Sequence, residues 1–332
     1  MGARAVEPEG GRGVRILRQN LPLVTTAGIL IALYAVASFL YDGFLSGRVA
    51  VNLLGDNAVL GLAALGLTLV IFTGGIDLSV GAVAGFTSIL VAALISGRGW
   101  PPAAAWAVAL LLGTGFGAAM GGLIQSCRLP AFLITLAGVF FARGMAFQVS
   151  TDSVSIDHPL YTRLAELYLP LGVAELPFAA MALLAALAVA WLVGHHTRFG
   201  RNLLAIGGNE QSAVLMGLPV GRAKVAAYAL SGGCAALAGI LATVITGSGD
   251  PARGVGMELD AIAVVVIGGT LLAGGRGHVA GTLLGLLIFG VIQAALLFDG
   301  RLSSWWSRIV VGLLLLAFIL LQRFLASRKR AA

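Results

Sequence analysis

The chain has 332 residues, of which 59% are hydrophobic and only 11% charged. A soluble domain of this length carries about a quarter charged residues, because even a large core leaves a solvated surface, so the composition excludes a water-soluble fold and asks for lipid as solvent. The net charge is +7, yet the basic residues stand at the ends of apolar blocks, not on a basic face with interleaved aromatics, which argues against a nucleic-acid partner.

Residues 1–20 are polar and arginine-rich and read as a cytoplasmic tail. The apolar stretch 21–41 follows. Ala35-Val36-Ala37 resembles a cleavage site, but the stretch exceeds the usual 7–15 residues of a signal-peptide core, so it is read as an uncleaved first span. Further spans are expected at 52–72, 78–97, 103–125, 130–149, 178–194, 223–247, 258–273, 278–298 and 306–323, each near the length a helix needs to cross hydrocarbon. The apolar runs are continuous and do not alternate with period two, which selects helices over barrel strands. The expected fold is therefore an all-α integral membrane protein of about ten transmembrane helices. Residues 21–323 form the membrane domain and 324–332 a basic cytoplasmic tail.

Gly74, Gly75, Gly81 and Gly85 recur without gaps as Gly274, Gly275, Gly281 and Gly285. Each set breaks the chain between two apolar spans, as expected of two loosely repeated halves, and both copies run in the same direction, so the repeat is not inverted. The stripe Gly113, Gly117 and Gly121 is read as helix packing. Cys127 and Cys234 define neither a disulfide framework nor a metal site.

Orientation follows from the arginines and lysines. With both termini in the cytoplasm, 14 of them fall on the cytoplasmic side and 6 outside. Two hydrophilic stretches are longer than turns: 150–177, external, and 195–222, cytoplasmic.

A transporter needs energy. The two lysines, Lys224 and Lys329, do not close a phosphate loop, so the chain lacks its own nucleotide site and is not read as an enzyme. The acids Asp56, Asp77, Glu258, Asp260 and Asp299 fall near span ends, and the histidines lie in or beside loops, which shows no midplane proton relay. Energy is expected from outside the chain, with an ion-coupled secondary carrier as the alternative. The receiver is the loop 195–222, with Arg198 near its start, a Gly207-Gly208 break, and a short apolar run that ends at Gly217. Asn209 is placed to cap the helix containing Ser212, and the apolar residues Leu203, Leu204, Ala205, Ile206, Ala213, Val214, Leu215 and Met216 to seat in a partner's groove; a solvated turn is the competing reading.

Four blocks carry a family resemblance. GGIDLSVG at 74–81, LPAFLITLAGVFFARG at 129–144, LAIGGNEQSAVLMGL at 204–218 and ELDAIAVVVIGGTLLAGGRG at 258–277 resemble the ribose-type permeases of ABC sugar importers, over residues 50–323. SIDHPLY at 155–161, ELDAIA at 258–263 and FDGRLSSWW at 298–306 are more similar still to the galactofuranose-type permease within that family. The resemblance implies a bacterial inner-membrane subunit that pairs with a second permease, a copy or a paralogue. It also implies a cytoplasmic ATPase, usually two fused nucleotide-binding modules using ATP and Mg, and a periplasmic sugar-binding protein that delivers a monosaccharide. No cofactor is expected on this chain itself, and 204–218 becomes the segment that contacts the ATPase.

Single residues carry paired readings. Asp77 is an N-cap at the mouth of the third span or a gate residue. Arg143, inside the fifth span, snorkels to the interface or meets sugar hydroxyls together with Gln148. Glu258 and Asp260 open the eighth span from outside, stabilising its N-terminus or meeting a binding protein. Asn57, Thr135, Gln148 and Gln293 offer hydroxyl partners to a sugar, and Phe86, Phe132, Phe140 and Phe141 offer flat apolar faces that equally suit helix packing. Trp305 and Trp306 read as interfacial belt residues. His195 and His196 are sequence neighbours that would not share a helix face, so no metal site is expected.

Overall fold

A computed structural model describes residues 21–172, 174–300, 305–306, 309–313, 315–317 and 320. The tails at 1–20 and 324–332 lie outside the described residues, as does part of the expected span 306–323.

Thirteen helices between residues 21 and 300 follow the apolar blocks. They are α1 (Leu21–Leu40), α2 (Gly47–Asp56), α3 (Ala58–Phe72), α4 (Val80–Ala92), α5 (Pro102–Cys127), α6 (Ala131–Val149), α7 (Pro159–Ala165), α8 (Phe178–Trp191), α9 (Arg198–Gly208), α10 (Glu210–Leu215), α11 (Val220–Thr246), α12 (Met257–Ile267) and α13 (Val279–Asp299). Helices α4 and α8 each continue into a π-helical turn, Ala93–Gly97 and Leu192–His196. Among the described residues, 7 helices are long and apolar enough to cross a membrane, or up to 8 if the bent pair α2–α3 is one span. The chain is thus a multi-span helical membrane protein.

Two of the expected spans are not continuous. The second, 52–72, is broken at Asn57, where α2 and α3 meet at 57°. The Asn57 amide donates to Leu53 O at 2.9 Å, and Gly290 of α13 leaves room for it, so the kink is packed rather than open. The eighth, 258–273, ends as helix at Ile267. Gly269, Gly274 and Gly275 then take positive φ, which closes the helix into turns. A helix this short reaches only about 16 Å, half the hydrocarbon thickness.

The bundle is helical, but two short antiparallel ribbons join it. β1 (Val154–Ser155) pairs with β4 (Ser248–Gly249), and β2 (Tyr168–Leu171) forms a hairpin with β3 (Ala174–Pro177). The hairpin marks one face of the bundle and α9–α10 the other.

Helix α11 is the central post. Gly113 and Gly117 of α5 meet Gly232 and Tyr228 of α11 backbone to backbone, and a Cβ on Gly121 would stand 2.9 Å from Val225 Cα. The glycine stripe of α5 therefore faces α11, where small residues let the two backbones touch. On its other sides α11 meets α3, through Gly66 against Ser231 and Cys234, and α4, through Gly239 against Ala84 and Thr87. Adding volume at such contacts costs about 1–3 kcal/mol or more, since backbone cannot rotate away as a side chain can. Gly232→Val is expected to abolish monodisperse protein on size exclusion, whereas Gly115→Val, at a position with nothing within 4 Å, leaves yield and melting midpoint within error.

Candidate translocation and coupling site

The two copies of the glycine motif come together in space. Phe72 ends α3, and its carbonyl accepts from Gly275 N at 3.1 Å, while a Cβ on Gly274 would stand 2.5 Å from Gly74 N. Both turns use positive φ, 78° at Gly74 and 81° at Gly274, which favours glycine at each. Helix α9 covers this junction. Gly207 lies against Phe72 O and Gly275 N together, and Gly208 lies against Gly275. A single helix end therefore touches the turns of both halves.

Helix α10 follows directly. Asn209 accepts from Ser212 N at 2.9 Å, the cap expected from the sequence, and Gly217 at φ 75° ends the segment. Val214, Leu215 and Met216 point out, 57%, 88% and 67% exposed, forming an apolar knob beyond the bundle. Glu210 pairs with Lys224 at 2.7 Å, fastening α10 to the first turn of α11. Arg198 is exposed at the start of α9.

Asp77 lies deeper than a span mouth. It is 1% exposed and stands opposite Ser231, about 16 Å along α11 from Val220. Its carboxylate accepts from Ser79 N at 2.9 Å, Ser79 Oγ at 2.6 Å and Ser231 Oγ at 2.8 Å. The neighbouring Ile76 carbonyl accepts from Tyr228 Oη at 3.3 Å and Thr135 Oγ1 at 3.4 Å. Residues 75–78 have no helix of their own, so α6 and α11 supply the donors that the backbone lacks.

A second non-helical segment enters from the hairpin face. After Thr246 the chain turns back along α4. Gly249 lies against Ser88 and Ala92, Pro251 and Arg253 lie over Gly85, and Gly254 lies against Gly81. From Ser88 to Gly81 this is a descent of about 10 Å. Helix α12 thus begins inside the bundle, with Glu258 beside Gly81. The expectation that Glu258 and Asp260 open a span at the external boundary is corrected, because the chain re-enters before it becomes helical. Arg143 meets this segment. One guanidinium nitrogen, Nη1, donates to Pro251 O at 2.6 Å and Arg253 O at 2.8 Å, and Glu258 and Asp250 are the acids that attract it.

A family model described as "Branched-chain amino acid transport system / permease component" matches residues 49–319. The Inner membrane ABC transporter permease protein YjfF of Escherichia coli (strain K12) is 47% identical over 309 residues, 93% of either chain. The Ribose import permease protein RbsC of the same strain is 39% identical, covering 88% of this chain and 90% of its own. The Fructose import permease protein FruG of Bifidobacterium longum (strain NCC 2705) is 37% identical, covering 94% and 93%. The chain belongs to this permease family. No solved structure matches it. The resemblance to ribose-type ABC permeases is borne out by these relatives, and the chain is a transport subunit rather than an enzyme.

Within the permease, the residues singled out from sequence form separate groups. Gly207 and Gly208 converge at the junction of the glycine turns, and Asn209 follows them as the cap of α10. Asp77 and Thr135 share the 75–78 turn, and Arg143 and Glu258 share the re-entrant segment. Asn57 stays apart at the α2–α3 kink. Phe132 and Gln148 are exposed along α6, and Phe86 is half-buried on α4. Neither reading of Arg143 anticipated its bonds, because its partners are carbonyls more than a hundred residues away. Ser231 and Tyr228 escaped notice for the same reason.

The histidines also pair across the sequence. His195 and His278 stack, ring centroids 4.0 Å apart and planes at 19°. His195 Nε2 accepts from Val279 N at 3.0 Å and His278 Nδ1 from Ala280 N at 3.1 Å, so two neutral rings cap the N-terminus of α13. Burial pushes His278 below the ordinary histidine range. The folded state thus favours the neutral ring; its contribution is complete above the unfolded value of about 6.5 and is lost as pH falls below it. The melting midpoint of the permease in detergent is expected to drop on acidification from about pH 7.5 to about 5.5, and His278→Asn, which keeps a cap but cannot titrate, flattens part of that drop. Asp77→Ala strands two hydroxyls and an amide and is expected to cost about 1–3 kcal/mol in detergent unfolding, with Asp77→Asn costing less.

Proposed function

We propose that the permease passes a monosaccharide into the bacterial cytoplasm across the inner membrane, driven by a separate ATPase. The observation that carries this reading is the placement of α9 on both glycine turns, with the exposed α10 knob beyond it. A push on Leu215 and Met216 travels through α9 to Phe72 and Gly275 at once, and through the Glu210–Lys224 pair to α11. Glycine contacts have no flexible side chain to absorb the displacement.

In this proposal the α9–α10 face and both termini are cytoplasmic, as the arginine and lysine bias supports. Ten membrane crossings result when the broken crossing made by residues 250–256 together with α12, and the expected span 306–323, join the eight spans. The ATPase, with two fused nucleotide-binding modules, holds ATP and Mg, so this chain needs no cofactor. A second permease completes the assembly, and a periplasmic sugar-binding protein loads it. Asp77, Thr135, Arg143, Glu258 and Asp260 line or shape the gate, with Asn57, Phe86, Phe132 and Gln148 as outlying pathway candidates. Names of relatives that import ribose and fructose support a sugar, and the motifs at 155–161 and 298–306 make galactofuranose the first to test.

The decisive measurement is uptake in proteoliposomes with and without the ATPase and the binding protein. Uptake that requires ATP and both partners supports the importer, whereas gradient-driven uptake by the chain alone selects an ion-coupled carrier. Coupling is tested separately. Leu215→Ala with Met216→Ala should weaken ATPase binding by about 2 kcal/mol or more, as for buried anchors. Gly207→Val should leave that binding intact yet reduce ATP-driven uptake at least about tenfold, since about 1–3 kcal/mol of overpacking falls on the transmitting contact.

A further inference from the structure

We propose that Arg143 is a positioning residue for transport, the clasp that holds the re-entrant segment 250–256 in the groove of α4 and so fixes where α12 begins. The inference rests on reading the chain as an importer permease, but its first test does not require transport.

Non-helical backbone inside a membrane persists only when its polar groups are satisfied by protein or water. Much of this segment is satisfied within itself or by Ser88 of the underlying α4. Asp250 N donates to Ser88 Oγ at 3.3 Å, Ala252 N to Asp250 Oδ1 at 2.8 Å, and Arg253 N to Asp250 O at 3.2 Å. The carbonyls of Pro251 and Arg253 lie beyond that local set, and Arg143 reaches both with one nitrogen. A charged donor makes these bonds stronger than neutral ones.

The groove is shaped for this clasp. A Cβ on Gly85 would stand 2.6 Å from both Arg143 Nη1 and Arg253 O, and a Cβ on Gly81 would meet Gly254 O and Glu258. Both positions therefore admit the segment and the guanidinium only as glycine. Glu258 and Asp250 flank the cation, so its charge is balanced without an ion pair to either. The clasp ends at Arg253, four residues before Met257 opens α12. Arg143 belongs to α6, and the segment leads into α12, so the contact makes α6 and the start of α12 move together across α4. Transport that depends on rearranging α12 then depends on Arg143, although the residue need never touch the sugar.

The test compares Arg143→Gln, Arg143→Lys and Gly85→Ala with the parent, each assembled with ATPase and binding protein in nanodiscs. Deuterium exchange of the peptide covering 248–257 is read first. Arg143→Gln is expected to speed it about tenfold or more, as loss of bonds to a charged group implies, and Arg143→Lys to restore much of the protection with a single ammonium. Maximal uptake should fall about tenfold in Arg143→Gln, with the KM for sugar-loaded binding protein within about twofold. Gly85→Ala, which crowds the clasp from the opposite helix, should reproduce both effects and keeps the test informative should Arg143→Gln fail to fold. Unchanged exchange in Arg143→Gln would overturn the proposal in favour of a residue that merely snorkels. A raised KM with unchanged exchange would overturn it in favour of direct sugar contact.

Discussion

The constraint on which the structure turns is that backbone N–H and C=O groups inside lipid must find partners in the protein. Helices meet it by themselves; the segments 75–78 and 250–256 do not. The first borrows donors from Tyr228, Thr135 and Ser231, and the second from Arg143 and from Ser88, whose Oγ donates to Asp250 O at 3.1 Å. Every one of these side chains belongs to a neighbouring helix, so each break in regular structure is also a joint between helices. Glycine makes the joints possible, because only a residue without Cβ lets an unwound strand lie flat on α4 or lets α9 touch two turns at once.

Much of this was legible in the sequence, and the limits have a common cause. Hydropathy located the apolar blocks because it reports the solvent a segment prefers. It overlooked the kink at Asn57 and the early end of α12 at Ile267, since over a whole span the apolar residues on either side outweigh Asp56-Asn57 and Gly268-Gly269-Thr270. The glycine echo was visible as a pattern, but the contact between Gly74 and Gly274 was not, because nothing in one dimension says that two turns of the same sign share one place. Asn209 was readable as a cap because its partner is Ser212, three residues on.

The polar residues show the same division. Asp77 looked like a span-end acid because the neighbouring Gly74-Gly75 suggested a loop at the surface; in the fold that loop climbs into the bundle before α4 starts. Arg143 stood out because it is a basic residue inside a span. Its partners are main-chain oxygens supplied by topology, which no residue type announces. His195 and His278 were placed at helix edges, and their stacking appears only once α8 and α13 are side by side. Local chemistry could be read from sequence, and long-range pairing required the fold.

The touching turns of the two halves carry an evolutionary corollary. Gly74 and Gly274 stand at corresponding places in the repeated glycine pattern; a Cβ on Gly274 would fall on the Gly74 backbone, and one on Gly74 would meet Ala273 O at 3.0 Å. A methyl group gained at either position has no vacancy to enter, so neither turn can change there without moving the other. Glycine at this spot is therefore held by crowding between the turns, and it should persist where the rest of the glycine pattern is free to change.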